Sequence, residues 1–302
     1  MAAAAAVSLE QIDWENPEQI GLWQDAWQRF RRNPIAVGGL IFVCLLVLDA
    51  LLAPLLVALH IIADPLQQDV ANSYAGFSLQ HPLGTDYLGR DLMSRVMFGA
   101  RISLTIGLTV QVIYLAIGGT IGLVSGYLGG RIDNLLMRFV DIWYAFPDLL
   151  FLLVVVSIFQ PSLFVIFGAI GIIGWVDLAR LIRGQVLSLK EKEFVEGARA
   201  AGSGPSKIIL RHLLPNTLGP IIVSLTFGIP RAIFLEATLS YLGVGIPPPT
   251  PSWGIMISDG NQAIFAYPHQ VLVPALALAI TMLSFSFIGD GLRDAIDPRM
   301  RR

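Results

Sequence analysis

The chain has 302 residues, of which 55% are hydrophobic and only 14% charged, and its mean hydropathy is +0.68. That balance excludes an ordinary soluble globule and points to a multi-span membrane protein. With 20 basic and 22 acidic residues the formal charge is -2, so bulk charge argues against a nucleic-acid or strongly acidic partner. The single cysteine, Cys44, lies in an apolar run and cannot form an intrachain disulfide, which leaves the redox compartment undetermined.

Residues 1–34 hold a short Ala run and then polar sequence, which is not the pattern of a cleavable secretory signal, and they are expected to stay in the cytoplasm. Within them Ile20, Trp23, Trp27 and Phe30 recur at helical spacing. This predicts an amphipathic helix, lying either in the membrane interface or against the protein's own underside. A six-helix domain is expected over residues 35–302, because a hydrocarbon core of about 30 Å takes about 20 apolar residues per crossing. The expected spans are Ile35 to Ile62 (with Asp49 and Pro54 inside it), Ile102 to Leu128, Leu136 to Phe159, Leu163 to Leu187, Leu218 to Leu242 and Val271 to Phe287. A polar turn at Gln160–Ser162 divides the third from the fourth.

Basic residues set the orientation. Arg29, Arg31, Arg32, Arg131, Arg138, Arg293, Arg299, Arg301 and Arg302 fall on one side, as does the loop after span four with Arg180, Arg183, Lys190, Lys192, Arg199, Lys207 and Arg211. The other side holds Arg90, Arg95 and Arg101. Both termini are therefore predicted to be cytoplasmic. The loops at 63–97 and 244–269 become external and the loop at 188–216 cytoplasmic.

The 188–216 loop contains "EFVEGARAAGSGPSKIILRHLLPN", Glu193 to Asn216, charged yet with helical apolar spacing. Phe194, Ala198 and Ala201 share a face; Gly202 allows a positive φ that stops the first helix; Ser203, Gly204 and Pro205 open a second, which is expected to end at Pro215. The bland alternative is an amphipathic element resting on lipid headgroups. The residues Glu196, Gly197, Ala198, Gly202, Leu214 and Pro215 resemble the E-A-A-x3-G-x9-I-x-L-P signature of permease subunits of bacterial ABC importers. Gly197 stands where that pattern usually has Ala. His212 stands at its Ile position, as is common in the peptide-importer branch.

Further blocks extend the resemblance to the C-type branch of oligopeptide and dipeptide permeases, which also includes nickel and glutathione importers. They are "RRNPIAVGGLIF" (Arg31 to Phe42), "HPLGTDYLGRDLMSRVMFGARISL" (His81 to Leu104), "PPTPSWGIMISDG" (Pro248 to Gly260) and "IGDGLRDAIDPR" (Ile288 to Arg299). The resemblance implies an all-α type I importer permease in the bacterial inner membrane. It would pair with a homologous permease, with two ATPases and with an extracytoplasmic substrate-binding protein. It also implies that the loop couples to an ATPase through Glu196, Gly197, Ala198, Arg199, Gly202, Ser203, Leu214 and Pro215. No phosphate-binding G-x-x-x-x-G-K-[ST] run occurs in the chain, so ATP and Mg would be used by the partners, and no cofactor, metal cluster or catalytic constellation is expected here.

Charges within spans are functional candidates. Arg138 with Asp141, and Asp177 with Arg180, sit three apart and are expected to pair on their own helices. Arg231 and Glu236 do not share a face, so each seeks a partner on another span or lines the pathway. Asp86, Arg90, Asp91 and Trp253 are candidates for external docking, against local ion pairing and, for Trp253, interfacial anchoring. The Pro-rich run Gly245 to Gly254 reads as a stiff external loop or re-entrant scoop. A nickel or other small-solute importer, and an ATP-independent secondary transporter, are the alternatives.

Overall fold

The computed structural model describes residues 21–297. Ile20 of the expected amphipathic face, and Arg299, Arg301 and Arg302, lie outside the described residues. The described chain is helical, with one isolated bridge between Thr85 and Asp91.

Helix α1 (Leu22–Arg32) is amphipathic. It buries Phe30 against Ala36, Ile288 and Ala295 and leaves Trp23 and Trp27 exposed, so it both packs under the bundle and offers an aromatic face outward. Asn33 starts α2 (Pro34–Ala58): its side chain accepts from the amides of Ile35 and Ala36, and Pro34 occupies the first turn, where a missing N–H costs nothing. Pro54 sits inside that helix without ending it.

The next helix begins well before the expected Ile102. Asp91 caps α3 (Leu92–Tyr114) by accepting from the Ser94 amide at 2.8 Å. Hydropathy missed this start because Ser94 and Arg95 are polar, yet both are buried against protein and not lipid. A single π-turn, Leu115–Gly119, carries α3 into α4 (Thr120–Leu128), making one rod of 37 residues. The expected straight third span is instead two helices, α5 (Gly130–Tyr144) and α6 (Asp148–Phe159), bent by 79°. Pro147 explains the break, since it lacks an N–H, and its ring pushes the preceding Phe146 out of helical conformation.

Helix α7 (Leu163–Leu189) starts at Ser162, whose hydroxyl accepts from the Val165 amide. It is the axis of the core, with Ile166, Ile170, Val176, Ala179, Ile182 and Val186 all buried. Close approach to the α3–α4 rod depends on glycines four apart: a Cβ at Gly118 would lie 2.6 Å from the Trp175 carbonyl oxygen, and one at Gly122 2.6 Å from that of Ala179. Small residues in this spacing let membrane helices meet backbone to backbone.

After α8 (Glu193–Ala200), α9 (Pro205–Ile208) continues through a second π-turn, Ile209–Leu213, into α10 (Leu214–Tyr241). The expectation that Pro215 ends a separate helix is therefore wrong: residues Pro205–Tyr241 form one rod. The π-turn supplies the reason, because its wider spiral sits where the ring of Pro215 would strike an α-helical carbonyl one turn back. The short α11 (Trp253–Asn261) is tucked against α10 and α12 (His269–Ile296), with Gly254 touching Ala237 and Gly260 touching Gln270.

Among the described residues five helices are long and apolar enough to cross a membrane, and α5 with α6 makes a sixth if the bent pair is one span. The 190–204 segment, α1 and the end of α12 gather at one end of the bundle; the 59–91 segment and α11 gather at the other.

Candidate functional site

At the first end, α8 is a short helix with a defined stop. The Ser203 amide bonds the Ala198 carbonyl at 3.0 Å and the Gly202 amide bonds that of Arg199 at 2.9 Å, with Gly202 at φ +77°. This is the double-bonded left-handed cap that glycine serves best. The residue anchoring α8 is Val195, fully buried, whereas Phe194, which shares a face with Ala198 and Ala201, is 42% exposed. A Cβ at Gly197 meets nothing within 4 Å, so close packing inside this chain does not require its small size. Glu196 forms no ion pair with Arg199 among the described residues; the Arg199 guanidinium lies 5.8 Å from the Tyr127 ring centroid instead. Glu193, Phe194, Glu196, Gly197 and Arg199 thus face outward from a braced helix, while Leu214 and Pro215 belong to the long rod behind it.

A groove of about 940 Å³ opens at the same end between α1, α7, α10 and α12. Its walls include Gln185, Pro215, Asn216, Ser224, Phe227 and Arg293. One turn beyond Phe227, on the same face of α10, stands Arg231. Its guanidinium donates to Asp177 of α7 at 2.8 Å and to Asp148 of α6 at 2.6 Å. Arg231 and both carboxylates remain between 35% and 56% exposed on their side chains, so the triad borders open space and not the core.

The same-helix pairs expected for the charged spans do not form. Asp177 binds Arg231, and Arg180 instead binds Asp141 at 2.7 Å while covering the Tyr144 ring at 4.2 Å. Each cation reaches a carboxylate on another helix, so Arg180 ties α7 to α5 and Arg231 ties α10 to α6 and α7. A third such contact, unforeseen from sequence, joins Arg183 to both oxygens of Asp133, which also accepts from Ser125.

Glu236 parts company with Arg231. It is fully buried, accepting from Ser240 at 2.7 Å and from Ser103 at 3.5 Å, so only Arg231 of the two candidate pathway residues reaches the open face. Further along α3 two polar atoms are buried with no hydrogen-bond partner, the Gln111 amide oxygen against Gly228 and the Tyr114 hydroxyl against Gly174.

At the far end, Asp86, Arg90, Asp91 and Arg95 are all buried. Asp86 accepts from the Arg90 side chain at 2.6 Å and lies 3.3 Å from that of Arg95, and Asp259 completes the group at 3.7 Å from both arginines. Burial pushes the Asp259 carboxyl above its ordinary range against the pull of Arg95 and Arg90. Asp91 caps α3 and holds His81 at 2.9 Å. Trp253, expected at an interface, is fully buried; its indole N–H donates to the Val96 carbonyl, and Gly99 makes room for its ring. Asp86, Arg90, Asp91 and Trp253 therefore fix the shape of the end without presenting themselves at its surface.

Comparison with known proteins agrees with this geometry. Residues 118–302 match the family model described as binding-protein-dependent transport system inner membrane component, and residues 21–82 match that of the N-terminal TM domain of oligopeptide transport permease C. The chain is 42% identical to the oligopeptide transport system permease protein OppC of Bacillus subtilis (strain 168), over 100% of this chain and 96% of that protein. It is 40% identical to the dipeptide transport system permease protein DppC of the same organism, over 92% of this chain and 86% of that one. The inward-facing MetNI methionine ABC transporter shares the fold, with a TM-score of 0.54 at 18% identity, covering 68% of this chain and 98% of the matched chain. The protein is thus a multi-pass membrane protein that belongs to the inner membrane components of binding-protein-dependent transport systems, in the oligopeptide and dipeptide permease C branch of ABC importers.

Proposed function

We propose that this chain is one permease subunit of an ATP-driven importer of di- and oligopeptides. With a homologous permease it forms the translocation path, and a substrate-binding protein hands peptide to the end built on Asp86, Arg90, Asp91 and Trp253. The opposite end, bearing both termini, faces the cytoplasm. There α8 seats in an ATPase subunit through Glu196, Gly197, Ala198 and Arg199, with Gly202 and Ser203 as its cap and Leu214 and Pro215 in the rod that carries the motion. ATP and magnesium are used by the two ATPases, and this chain contributes a mechanical link.

The observation that carries the proposal is the construction of α8. An eight-residue helix has no business being stable alone, yet this one is pinned by Val195 and a glycine cap while its charged and aromatic side chains stay exposed. A few residues further on, a single rod of 37 residues begins. Displacement at α8 is therefore passed to α10 as a rigid-body movement. Names of relatives supply the solute class, and the groove that ends one turn short of Arg231 on α10 supports a path of suitable size.

The test is ATP hydrolysis by the chain purified with its genomic neighbours, with and without binding protein loaded with di- to pentapeptides. Peptide-loaded binding protein stimulates hydrolysis, and Glu196→Ala and Gly202→Pro lose that stimulation while the complex stays assembled. Solute movement without any ATPase subunit, or stimulation untouched in both variants, overturns the proposal and returns a secondary transporter to contention.

A further inference from the structure

We infer that the triad of Arg231, Asp148 and Asp177, with the Tyr114 hydroxyl beside it, is a solute subsite that binds the free amino group of the transported peptide. The inference rests on the proposed transport function and adds to it the chemical group that the path itself recognises.

The charges do not balance: one guanidinium serves two carboxylates, so the group carries a net negative charge on helices apolar enough to cross a membrane, where an unpaired charge is costly. Each carboxylate uses one oxygen for Arg231, at 2.6 Å for Asp148 and 2.8 Å for Asp177. Each keeps acceptor capacity on its second oxygen. The triad is also partly exposed, and it stands one turn above the 940 Å³ groove on the groove face of α10.

The Tyr114 hydroxyl is a second observation at the same place. The residue is only 5% exposed, its hydroxyl has no hydrogen-bond partner, and the charges of Arg231, Asp148 and Asp177 all act on it. It is pressed against Gly174, one turn along α7 from Asp177, where any Cβ would overlap it. A buried hydroxyl left unbonded costs free energy in the empty protein and is relieved by a partner. An ammonium group has three N–H donors, and two carboxylates with one phenolic oxygen are three acceptors. Arg231 bridges the two carboxylates and limits the site's charge. A neutral acetylated terminus offers one donor and no charge.

The spacing of residues along α10 makes a direct test feasible. Ser224 lies two turns from Arg231 on α10, about 10 Å along the axis, and a tripeptide with its amino group at the triad extends about 10 Å. The probe is therefore a cysteine at Ser224 in a Cys44→Ser background, in the complete reconstituted importer, labelled by a thiol reagent from the groove end. Trialanine slows the labelling, trialanine amide does so equally, and N-acetyl-trialanine needs about tenfold more for the same protection, the cost of losing a charged hydrogen bond. Tyr114→Phe and Asp148→Asn each shrink that gap. Tyr114→Phe removes only an unbonded oxygen, so it leaves folding intact and isolates the recognition.

Equal protection by free and acetylated peptide, no protection by either, a gap unchanged in both variants, or a larger loss with the amide than with the acetyl group would each overturn the inference. Stimulation of hydrolysis by loaded binding protein is read on the same preparation. If it persists while the protection pattern fails, the subsite falls and the importer stands.

Discussion

Two glycines in one short helix should respond to the same substitution with opposite signs. Gly202 sits at φ +77° and closes the cap of α8, whereas Gly197 lies within the helix, and a Cβ at either position meets nothing within 4 Å. Neither alanine variant creates a clash, so each effect comes from the backbone alone. Gly202→Ala forces a left-handed conformation on an L-residue at about 1–2 kcal/mol, which raises the local opening of α8 about five- to thirtyfold. Gly197→Ala recovers the helical penalty of glycine, about 0.8–1 kcal/mol, and lowers opening about fourfold to fivefold. Hydrogen exchange followed by mass spectrometry on peptides covering residues 193–203 reads both directly, because amides of a peripheral helix exchange through local opening. Exchange should be faster in the first variant, slower in the second and unchanged in α7. If both variants speed exchange, or if neither moves it, the cap and packing of α8 are not as described.

Other consequences can be checked alongside. Gly122→Ala places a methyl 2.6 Å from the Ala179 carbonyl oxygen and should lower the unfolding temperature in detergent, at about 1–3 kcal/mol; Gly168→Ala, with open space at its Cβ, should not. Asp86→Ala strips two buried arginines of their shared carboxylate and should cost about 3–5 kcal/mol. Asp141→Ala breaks a pair whose carboxylate is 59% exposed and should cost less than about 1 kcal/mol; thermal unfolding of both variants gives the contrast. Cysteines at Ser162 and Gln262 should react with an impermeant thiol reagent from outside the cell and one at Ser203 should not, and the opposite pattern would reverse the orientation.

What the sequence made legible was what local pattern encodes. Apolar runs located every long helix, and Gly202 announced its own turn. The bend at Pro147 had a local signal in Phe146-Pro147-Asp148, but an apolar run on each side hid it. Pro215 misled in the other direction, since a rule about α-helices does not foresee a π-turn that absorbs the ring. Charged contacts were legible only as a need for partners. Arg231 meets Asp177 and Asp148 across 54 and 83 residues, and Arg180 meets Asp141 across 39, separations that no helical spacing can report. Trp253 followed shape and not the usual preference of tryptophan for interfaces, because Gly99 on a distant helix leaves a slot for its ring. Glu236 looked like a pathway residue, but Ser240 one turn along its own helix and Ser103, 133 residues away on α3, hold its carboxylate in the interior.

The central claim is that α8 meets an ATPase subunit, and site-directed cross-linking tests it most directly. In a Cys44→Ser background, Glu196→Cys is compared with Phe265→Cys, which is fully exposed at the opposite end of the bundle. The account predicts that the cysteine at 196 cross-links to an ATPase subunit of the assembled importer and that the one at 265 does not. Cross-linking of the ATPase at 265, or its absence at 196 in a complex that hydrolyses ATP, would contradict it.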